Sequence, residues 1–299
     1  MSAVHFDARI SDEERRRRIY DGELFVYSPS TESLELVEFA RSLLREAFAP
    51  LDPELAQFQM PVERFAALLG ELKPKFIHHP HCKRLLPAML ANLGCDPQQT
   101  YFDVPRMRSA TSDDYLSTGI AYAFHPHRDT WYSAPLCQIN WWLPIYPLTP
   151  DNCMAFHPRY FASGVRNSSA IYNYQEWNRT SRFNAAKQIG ADTRPQPKAL
   201  DTVELQPDIR LLPPPGGAIL FSAAQLHSTV PNTSGRTRFS IDFRVVHLHD
   251  VEQLRGARNV DSRCTGTTMG DYLRCSDLAH LPAEACAPYD SGPPESAVL

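Results

Sequence analysis

Apolar positions in the first third of the chain recur at helical spacing, with one short apolar run among them. Residues 12–20 predict a short helix, and the run DGELFVY at 21–27 predicts a turn followed by a strand. Ser30 or Thr31 can cap a longer helix that continues to about Phe48. Its apolar residues lie three or four positions apart and are Leu36, Phe39, Ala40, Leu43, Leu44, Ala47 and Phe48. This spacing predicts a helix with one face in the core.

Two further helical stretches, at about 53–70 and 82–94, complete this part of the chain. From Gln99 onwards the pattern changes to short β-rich runs separated by Pro, Gly, Asn and Asp. The runs are QTYFDVPRMR, STGIAYAFHPHRD, LCQINWWLPIY, NCMAFHPRYF, GAILFSAAQLHSTV and RFSIDFRVVHLHD. Strands so close together favour an antiparallel sandwich or barrel over a parallel α/β sheet. We therefore expect a mainly β fold with flanking helices, in which residues 1–98 form a mostly helical N-terminal buttress.

The β-rich region has one long interruption, at residues 163–215. It combines a polar, helix-like piece, NYQEWNRTSRFNAAKQ, with a Pro-rich exit that ends in PPPGG. An insertion of this length is more often a lid or binding element than a plain connection, although a permanently packed cover is the alternative. No repeat or domain boundary is visible. We expect a single domain over 1–299, with its barrel core at 99–250 and a C-terminal extension at 251–299.

Composition narrows the class of protein. The chain has 299 residues, of which 43% are hydrophobic, enough for a sizeable core. A formal net charge of −4 and the lack of a long basic stripe give no electrostatic footprint for nucleic acid. We expect neither a signal peptide nor a membrane span, since no run approaches about 18 apolar residues. The seven cysteines show no C-x₂-C spacing, which favours reduced thiols in the cytoplasm.

The stretch AYAFHPHRDTWY, at residues 121–132, is a candidate metal-binding strand. Side chains alternate faces along a strand, so His127 and Asp129 would project the same way. An imidazole and a carboxylate would then converge, as in the 2-His-1-carboxylate facial triad that holds non-haem Fe(II). His-x-Asp alone is a weak signal, so the interpretation depends on further residues downstream.

His227 is the candidate third ligand. It follows the apolar strand 218–221, and the next strand begins at Arg238, eleven positions later. That strand alternates cleanly, with Phe239, Ile241, Phe243 and Val245 on one face and Arg238, Ser240, Asp242 and Arg244 on the other. Such a polar face lines either solvent or a polar cavity. We prefer the cavity, because it would unite His227 and an arginine suited to a carboxylate with the first two ligands.

These features together resemble the Fe(II)/2-oxoglutarate-dependent oxygenases, most closely the phytanoyl-CoA dioxygenase-like family. The resemblance spans about 125–245 and rests on His127-Arg128-Asp129, QINWWLPI with the turn TPDNC, His157-Pro158, GGAILF before His227, and Arg238 after it. It implies a double-stranded β-helix, which is a jelly-roll or cupin-like barrel. It also implies Fe(II) held by His127, Asp129 and His227, with 2-oxoglutarate and O₂ as co-substrates.

The resemblance further implies how 2-oxoglutarate is held. Arg238 would bind the distal carboxylate, helped by the hydroxyl of Thr229, and the family's strand tryptophan corresponds best to Trp142. The turn TPDNC is one residue shorter than the family's usual form, so Trp141 remains an alternative.

Polar neighbours of this tryptophan are further candidates. Gln138 and Asn140 would share a strand face with Trp142 and supply amide donors to the co-substrate. The family also has a contact from the strand before the metal motif, for which Arg106 and Arg108 are the candidates.

The expected activity is oxidation of a small molecule, most simply hydroxylation, with release of succinate and CO₂. Halogenating relatives lack the carboxylate ligand, whereas Asp129 is present here. Desaturation and epoxidation stay open. The alternative is a jelly-roll or cupin-type metal-dependent isomerase or binding protein without O₂ chemistry, which would not require Arg238. Ser240, Asp242 and Arg244 favour a polar or charged substrate, and the oligomeric state is not indicated.

Overall fold

The computed structural model describes residues 3–123 and 125–292, with all their side chains except those of Arg182 and Phe183. Its α-helices are α1 (Asp12–Tyr20), α2 (Thr31–Phe48), α3 (Val62–Ile77), α4 (Pro80–Asn92), α5 (Tyr174–Thr180), α6 (Leu248–Glu252) and α7 (Ala283–Cys286). Its strands are β1 (Val4–Phe6), β2 (Leu24–Tyr27), β3 (Thr100–Phe102), β4 (Arg106–Ala110), β5 (Ile139–Pro144), β6 (Met154–Phe156), β7 (Ile209–Arg210), β8 (Ala218–Ser222), β9 (His227–Thr229), β10 (Arg238–His247) and β11 (Leu273–Arg274). None of the helices in these two ranges combines the length and apolar character needed to cross a membrane.

Capping and burial determine the bounds of the N-terminal helices. α2 begins after Ser30, whose side chain accepts a hydrogen bond from Ser33 N (3.2 Å), while Ser33 Oγ accepts one from Ser30 N (2.9 Å). The prediction for this helix is confirmed. α3 lies further along the chain than the predicted 53–70, because Leu72 and Phe76 are buried in the core and favour continuation of the helix.

The strands form two sheets. The larger has eight strands in the order β1-β2-β8-β5-β10-β3-β11, with β4 also paired to β10, and the smaller has the order β7-β6-β9. In the described part β1 and β2 are parallel, and the other ladders are antiparallel. β10 is the longest strand and pairs with β3, β4 and β5. Its register therefore sets the centre of the larger sheet.

The larger sheet packs helices on one face and the smaller sheet on the other. Four apolar residues of β10 join the core beneath the N-terminal helices: Phe239, Ile241, Phe243 and Val245. On the opposite face, Trp142, Ile219 and Phe221 pack with Met154 and Phe156 of the smaller sheet. The rings of Phe156 and Phe221 lie 5.0 Å apart, centre to centre. The structure is thus a mixed sheet with flanking helices, and the predicted helical buttress is confirmed.

The two sheets face each other without closing into a continuous barrel over the described residues. A single isolated bridge, between His127 and His227, extends the smaller sheet towards the metal motif. The double-stranded β-helix therefore stays a prediction. The predicted strand over 121–132 is wrong, because this stretch forms short 3₁₀ turns at Gly119–Ala121 and Asp129–Tyr132. Pro126 contributes to the interruption, since it has no N–H to donate to a ladder.

The predicted insertion, 163–215, contains α5, 3₁₀ helices at Ser169–Ile171 and Arg182–Lys187, and β7, which pairs with β6. Its middle packs against the turn at Gly119, where φ is +59° and a Cβ atom would lie 2.3 Å from Ala185 O. Beside this contact, Thr118 Oγ1 donates a hydrogen bond to Gln188 O (2.8 Å). The insertion is therefore docked on the segment that leads into the metal motif.

Candidate metal centre

Three predicted metal ligands converge at the start of β9. Asp129 Oδ1 lies 3.4 Å from His127 Nε2 and 3.8 Å from His227 Nε2. The two imidazole rings are 4.3 Å apart, centre to centre. One ligand atom from each residue lies within 4.8 Å of the other two, so the group could hold a metal ion. The structure thus brings together residues that are a hundred positions apart in sequence.

Backbone hydrogen bonds hold the two histidines side by side. His127 N donates to His227 O and His227 N donates to His127 O, both at 3.0 Å. His227 also pairs with Phe156 across the small sheet, which anchors this bridge to a regular strand. Asp129 comes from the first position of the 3₁₀ turn that follows. The carboxylate therefore reaches the site from a tight turn, and not from the strand that its parity predicted.

A carbonyl acceptor fixes the tautomer of each imidazole. His127 Nδ1 lies 2.8 Å from His125 O, and His227 Nδ1 lies 2.9 Å from Gln225 O. Since a carbonyl oxygen can only accept, each Nδ1 carries the proton and each Nε2 presents its lone pair to the shared point. The side chain of His125 is exposed, so this residue contributes its backbone oxygen and not a fourth ligand.

The electrostatics suit a metal ligand set. Burial alone would raise the pKa of Asp129, but its electrostatic interactions with His127, His227 and Arg244 hold that pKa well below the usual range. Burial and the neighbouring His127 lower the pKa of His227 to about 3, so its imidazole is neutral. Gln138 Nε2 donates to Asp129 Oδ2 (3.3 Å) and orients the carboxylate. Two imidazole nitrogens and one carboxylate oxygen, without a thiolate, fit Fe(II).

Arg128, the middle residue of the metal motif, fastens the motif to its surroundings. It is 1% exposed, and its guanidinium donates to the backbone oxygens of Ala224, Tyr160 and Ser163. Its Nε also donates to Asp261 Oδ2 (3.0 Å). One side chain thus ties the His127–Asp129 loop to the segment before His227 and to the start of the insertion.

Asp261 completes this anchor from the C-terminal extension. Besides Arg128, it accepts hydrogen bonds from Trp131 Nε1 (2.7 Å) and from Val165 N (2.9 Å). Neither Arg128 nor Asp261 was predicted as an anchor from the sequence. A charged Arg128 inside an otherwise buried motif was a usable signal, whereas a lone Asp261 after the last strand gave none.

Three of the residues assigned to the co-substrate, Arg238, Trp142 and Asn140, lie on the inner face of the larger sheet. Arg238 is buried, and its guanidinium carbon lies 5.3 Å from the ring centre of Trp142. Trp141 points to the helical side, where it stacks on Phe243 at 5.5 Å. The structure therefore places Trp142, and not Trp141, beside Arg238. Burial lowers the pKa of Arg238 to about 10, and the group stays charged at neutral pH.

Several buried donors around Arg238 lack a protein partner. Within the described residues, no hydrogen bond is made by Arg238 Nε, Arg238 Nη1, Asn140 Nδ2 or Ser240 Oγ. Asn140 Oδ1 accepts from Gln138 Nε2 (2.8 Å), and Gln138 Oε1 accepts from Tyr272 OH (2.7 Å), so these amides are already oriented. Because buried polar groups are normally paired, the unsatisfied donors indicate a ligand with acceptor atoms.

The remaining candidates differ in their surroundings. Thr229 lies on β9, paired with Met154, two positions beyond the metal-site histidine. Arg108 binds Asp242 through two hydrogen bonds, of 2.6 and 3.2 Å, and Arg106 forms an ion pair with Asp103. Both arginines are therefore held by carboxylates of the same sheet region.

Comparison with known proteins does not identify the family of this chain. No family model and no curated protein matches the chain. Among solved structures, EvdO2 from Micromonospora carbonacea var. aurantiaca complexed with 2-oxoglutarate is 12% identical, with 83% of this chain and 94% of that chain covered and a TM-score of 0.45. The non-heme alpha ketoglutarate dependent epimerase SnoN from nogalamycin biosynthesis is 13% identical, with 79% and 85% covered and a TM-score of 0.37.

A third structure, a non-heme monooxygenase titled ThoJ-Ni complex, is 12% identical, with 74% of this chain and 71% of that chain covered and a TM-score of 0.34. At TM-scores below 0.5, such similarities do not establish a shared fold. Membership of the phytanoyl-CoA dioxygenase-like family therefore stays a prediction, and the function has to be inferred from the residues of the site.

Replacing His227 by Ala should remove metal binding without unfolding the protein. The variant loses one of three ligands, yet it keeps the backbone bonds to His127 that build the site. We expect the Mn(II) dissociation constant, measured by titration, to rise at least about a hundredfold, with an unchanged circular dichroism spectrum. His125→Ala is the matched control, since its contribution is a backbone oxygen. Equal Mn(II) affinity of the two variants would contradict this ligand assignment.

Replacing Asp261 by Asn should weaken both the fold and the metal site. The variant loses the charge that faces the buried Arg128, so the free energy of unfolding should fall by about 3–5 kcal/mol in urea titrations. The Mn(II) affinity should fall about tenfold, because the loop that carries two ligands is loosened.

Asp12→Asn provides the control for this variant. Asp12 accepts hydrogen bonds from Arg15 and Arg16, and it lies on the helical side of the larger sheet, next to Trp141 and Val245. Its loss should destabilise the fold while leaving Mn(II) affinity unchanged. If both variants change Mn(II) affinity equally, Asp261 has no specific role in positioning the ligands.

Proposed function

We propose that the protein is a non-haem Fe(II)- and 2-oxoglutarate-dependent dioxygenase that oxidises, most simply hydroxylates, a small molecule. The observation that carries this proposal is a metal ligand set next to a buried, unsatisfied arginine. His127, Asp129 and His227 offer one nitrogen or oxygen ligand each within 4.8 Å. On the same inner surface, Arg238 has two buried donor nitrogens without a partner in the described part of the chain.

Strand register supports a short distance between the metal ligands and Arg238. The ring of His227 lies 4.9 Å from that of Phe221, and Phe221 pairs with Asn140 across the larger sheet. Trp142, which lies under Arg238, is the next inward residue after Asn140 on β5. Two residues along a strand span roughly 7 Å. A short, extended dicarboxylate could therefore reach from the metal ligands to Arg238.

The chemistry of 2-oxoglutarate matches both ends of this space. Its oxo-acid end suits a metal with open coordination positions, and its distal carboxylate suits a fork of guanidinium donors. A buried, unpaired charge costs several kcal/mol of folding stability. Arg238 is therefore poorly explained as a structural residue and well explained as the binding site of an anion. A metal site without O₂ chemistry would have no comparable use for it.

The chain's own residues would divide the remaining tasks. Fe(II), 2-oxoglutarate and O₂, when bound, would supply oxidation of an unactivated C–H bond with succinate and CO₂ as co-products. Arg238 and Trp142 would orient the co-substrate, with Asn140, Ser240 and Thr229 as further polar contacts. Gln138 would hold the carboxylate of the metal ligand Asp129. The same arrangement of metal ligands and Arg238 leads us to infer that the two facing sheets form a double-stranded β-helix.

We also propose that the insertion, 163–215, acts as a lid over the metal. A row of aromatic side chains leads from it to the ligands: Tyr132 lies 5.5 Å from His127, Tyr172 lies 5.3 Å from Tyr132, and Trp177 lies 6.3 Å from Tyr172, all between ring centres. Tyr132 OH also donates to Pro197 O (3.1 Å). Such a cover would exclude water from the reacting centre. Phe183, a further aromatic candidate, has a side chain outside the described residues.

Replacing Arg238 by Lys tests the co-substrate assignment, because it keeps the charge and removes the fork. Loss of a bidentate, charge-assisted contact should cost about 1.5–3 kcal/mol, or roughly ten- to a hundredfold in 2-oxoglutarate affinity. Calorimetry on the Mn(II)-loaded protein measures this directly, and the Mn(II) affinity itself should not change.

Arg16→Lys is a suitable control, since Arg16 is also buried but lies among the N-terminal helices. It should leave 2-oxoglutarate affinity unchanged. The wild type should also form succinate in the presence of Fe(II), 2-oxoglutarate and O₂. If Arg238→Lys binds 2-oxoglutarate as well as the wild type does, the anchor lies elsewhere, with Arg106, Arg108 and Arg244 next to be tested.

Replacing Trp177 by Ala tests the lid. Removal of this side chain should open the cover and raise succinate formation in the absence of substrate, while 2-oxoglutarate affinity stays nearly constant. The measurements are succinate release and calorimetry, with thermal unfolding in parallel. If the variant only lowers the melting temperature, the insertion is a fixed cover and the walls of the sheets select the substrate.

A further inference from the structure

Three arginines and two aspartates form a chain of alternating charge beside the metal ligands. Arg106 pairs with Asp103, Asp103 with Arg244 (3.1 Å), Arg244 with Asp242 (3.5 Å) and Asp242 with Arg108 (2.6 Å). Four of these residues lie on the inner face of β4 and β10, and Asp103 lies in the loop that joins β3 to β4. This series of five charged side chains begins and ends with an arginine, so it carries one more positive than negative charge.

This excess of positive charge is concentrated at Arg106 and Arg244. Arg108 is occupied by its two-point contact with Asp242, whereas Arg106 and Arg244 share the carboxylate of Asp103. Within the described residues, Arg106 donates hydrogen bonds through Nη1, and its Nε and Nη2 have no acceptor. Arg244 likewise donates from its side chain through Nη1 to Asp103. Three or more guanidinium donors are therefore available to a ligand.

The pair lies between the metal ligands and the insertion. Arg244 is directly opposite Asn140 in the sheet, and its charge contributes to the lowered pKa of Asp129. Tyr174, on α5 of the insertion, lies near enough to Arg106 to influence the pKa of its guanidinium. The side chains of Arg106 and Arg244 are 17% and 20% exposed. They are thus largely enclosed but still partly accessible.

The co-substrate does not neutralise this pair. When Fe(II) and 2-oxoglutarate are bound, the two positive charges of the iron are balanced by Asp129 and by the oxo-acid carboxylate of 2-oxoglutarate. The charge of Arg238 is balanced by the distal carboxylate. Lys73 adds no more than a partial charge, since burial and the neighbouring Arg108 lower its pKa to about 7. The positive charge at Arg106 and Arg244 therefore remains, in a low-dielectric space that favours an anion.

We propose that Arg106 and Arg244 bind an acidic group of the substrate, a carboxylate or a phosphate, beside the metal. This inference rests on the proposed function and narrows the substrate to an organic anion. Paired guanidinium groups suit both acids, since each offers several acceptor oxygens in the geometry of the donor forks. The acidic group would hold the rest of the substrate between the metal ligands and α5.

The first experiment measures anion binding to the Mn(II)-loaded protein with saturating 2-oxoglutarate, which occupies Arg238. Inorganic phosphate and butyrate are titrated by calorimetry. We expect saturable binding of at least one of them to the wild type, at least about tenfold weaker in Arg106→Gln and in Arg244→Gln. Arg106→Lys should restore part of the affinity. Arg16→Gln, which removes a buried arginine on the helical side, should bind as the wild type does.

Two controls keep the result interpretable. 2-Oxoglutarate and Mn(II) affinities within about twofold of the wild type show that Arg106→Gln has kept its site. Arg106 is at the end of the charge chain, so this variant decides the question if Arg244→Gln does not fold. Absence of phosphate and butyrate binding, or equal binding in Arg106→Gln, overturns the proposal. If the wild type does not bind 2-oxoglutarate, the proposed function fails, and the same titrations without it still decide whether the arginine pair binds anions.

A second experiment compares carboxylic acids and phosphate monoesters with their neutral methyl esters and parent alcohols, scored by succinate formation. The acidic member of a pair should stimulate turnover, and its KM should rise at least about tenfold in Arg106→Gln while the KM for 2-oxoglutarate is unchanged. Stimulation by carboxylates alone or by phosphates alone identifies the acid. Equal stimulation by neutral partners overturns the proposal.

Discussion

The alternation of β10 is the constraint on which the rest of the structure depends. Its apolar residues, such as Phe239 and Phe243, lie in the core beneath the helices, and its charged residues, such as Arg238 and Arg244, face the smaller sheet. Because the side-chain period of a strand is two, a shift of one residue would exchange these faces. It would bury three charges among the helices and turn four core residues towards the smaller sheet. The register of β10 against β4 and β5 therefore fixes both the core and the site.

Burial of so much charge between two sheets works against stability unless each group is paired. Among the described residues, the buried arginines differ in how completely they are paired. Arg128 has four acceptors and Arg108 has a two-point contact with Asp242, whereas Arg238 has two buried nitrogens without a partner. A structural ion pair is expected to be complete, as that of Arg128 with Asp261 is. A buried arginine with unpaired nitrogens beside a metal ligand set is what a binding site looks like before its ligand is added.

Local signals predicted some features of this molecule better than others. α2 was predictable because Ser30 caps it and its apolar residues share one face, both properties of neighbouring residues. Strand parity correctly placed Trp142 on the face opposite Trp141, since β5 is a regular strand. Parity also predicted one strand for His127 and Asp129, where the structure has a bridge followed by a 3₁₀ turn. The two ligands do converge, but through tertiary contacts that parity does not describe.

Other residues could not be found from the sequence, because their roles exist only in the folded chain. Asp103 and Asp261 are isolated acidic residues in loops, with no motif around them, yet each is a shared acceptor. Asp103 accepts from Arg244 and is paired with Arg106, while Asp261 accepts from Arg128 and Trp131. A single carboxylate that joins segments far apart in sequence leaves no local pattern, so it becomes visible only when the structure brings the donors together.

Asp261 also links the metal motif to the proposed lid. Its Oδ2 accepts from Arg128 Nε, inside the metal motif, and from Val165 N, where the insertion begins. Arg128 in turn donates to Ser163 O and Tyr160 O, just before that point. The start of the insertion is therefore fixed to the metal loop by at least four hydrogen bonds, whereas Trp177 Nε1, further along, is buried without a partner in the described residues. If the insertion moves, it must do so beyond Val165, so the metal ligands can keep their geometry while the cover opens. A lid hinged in this way separates access to the site from the geometry of its ligands, as an enzyme needs when it must admit a substrate without losing its metal.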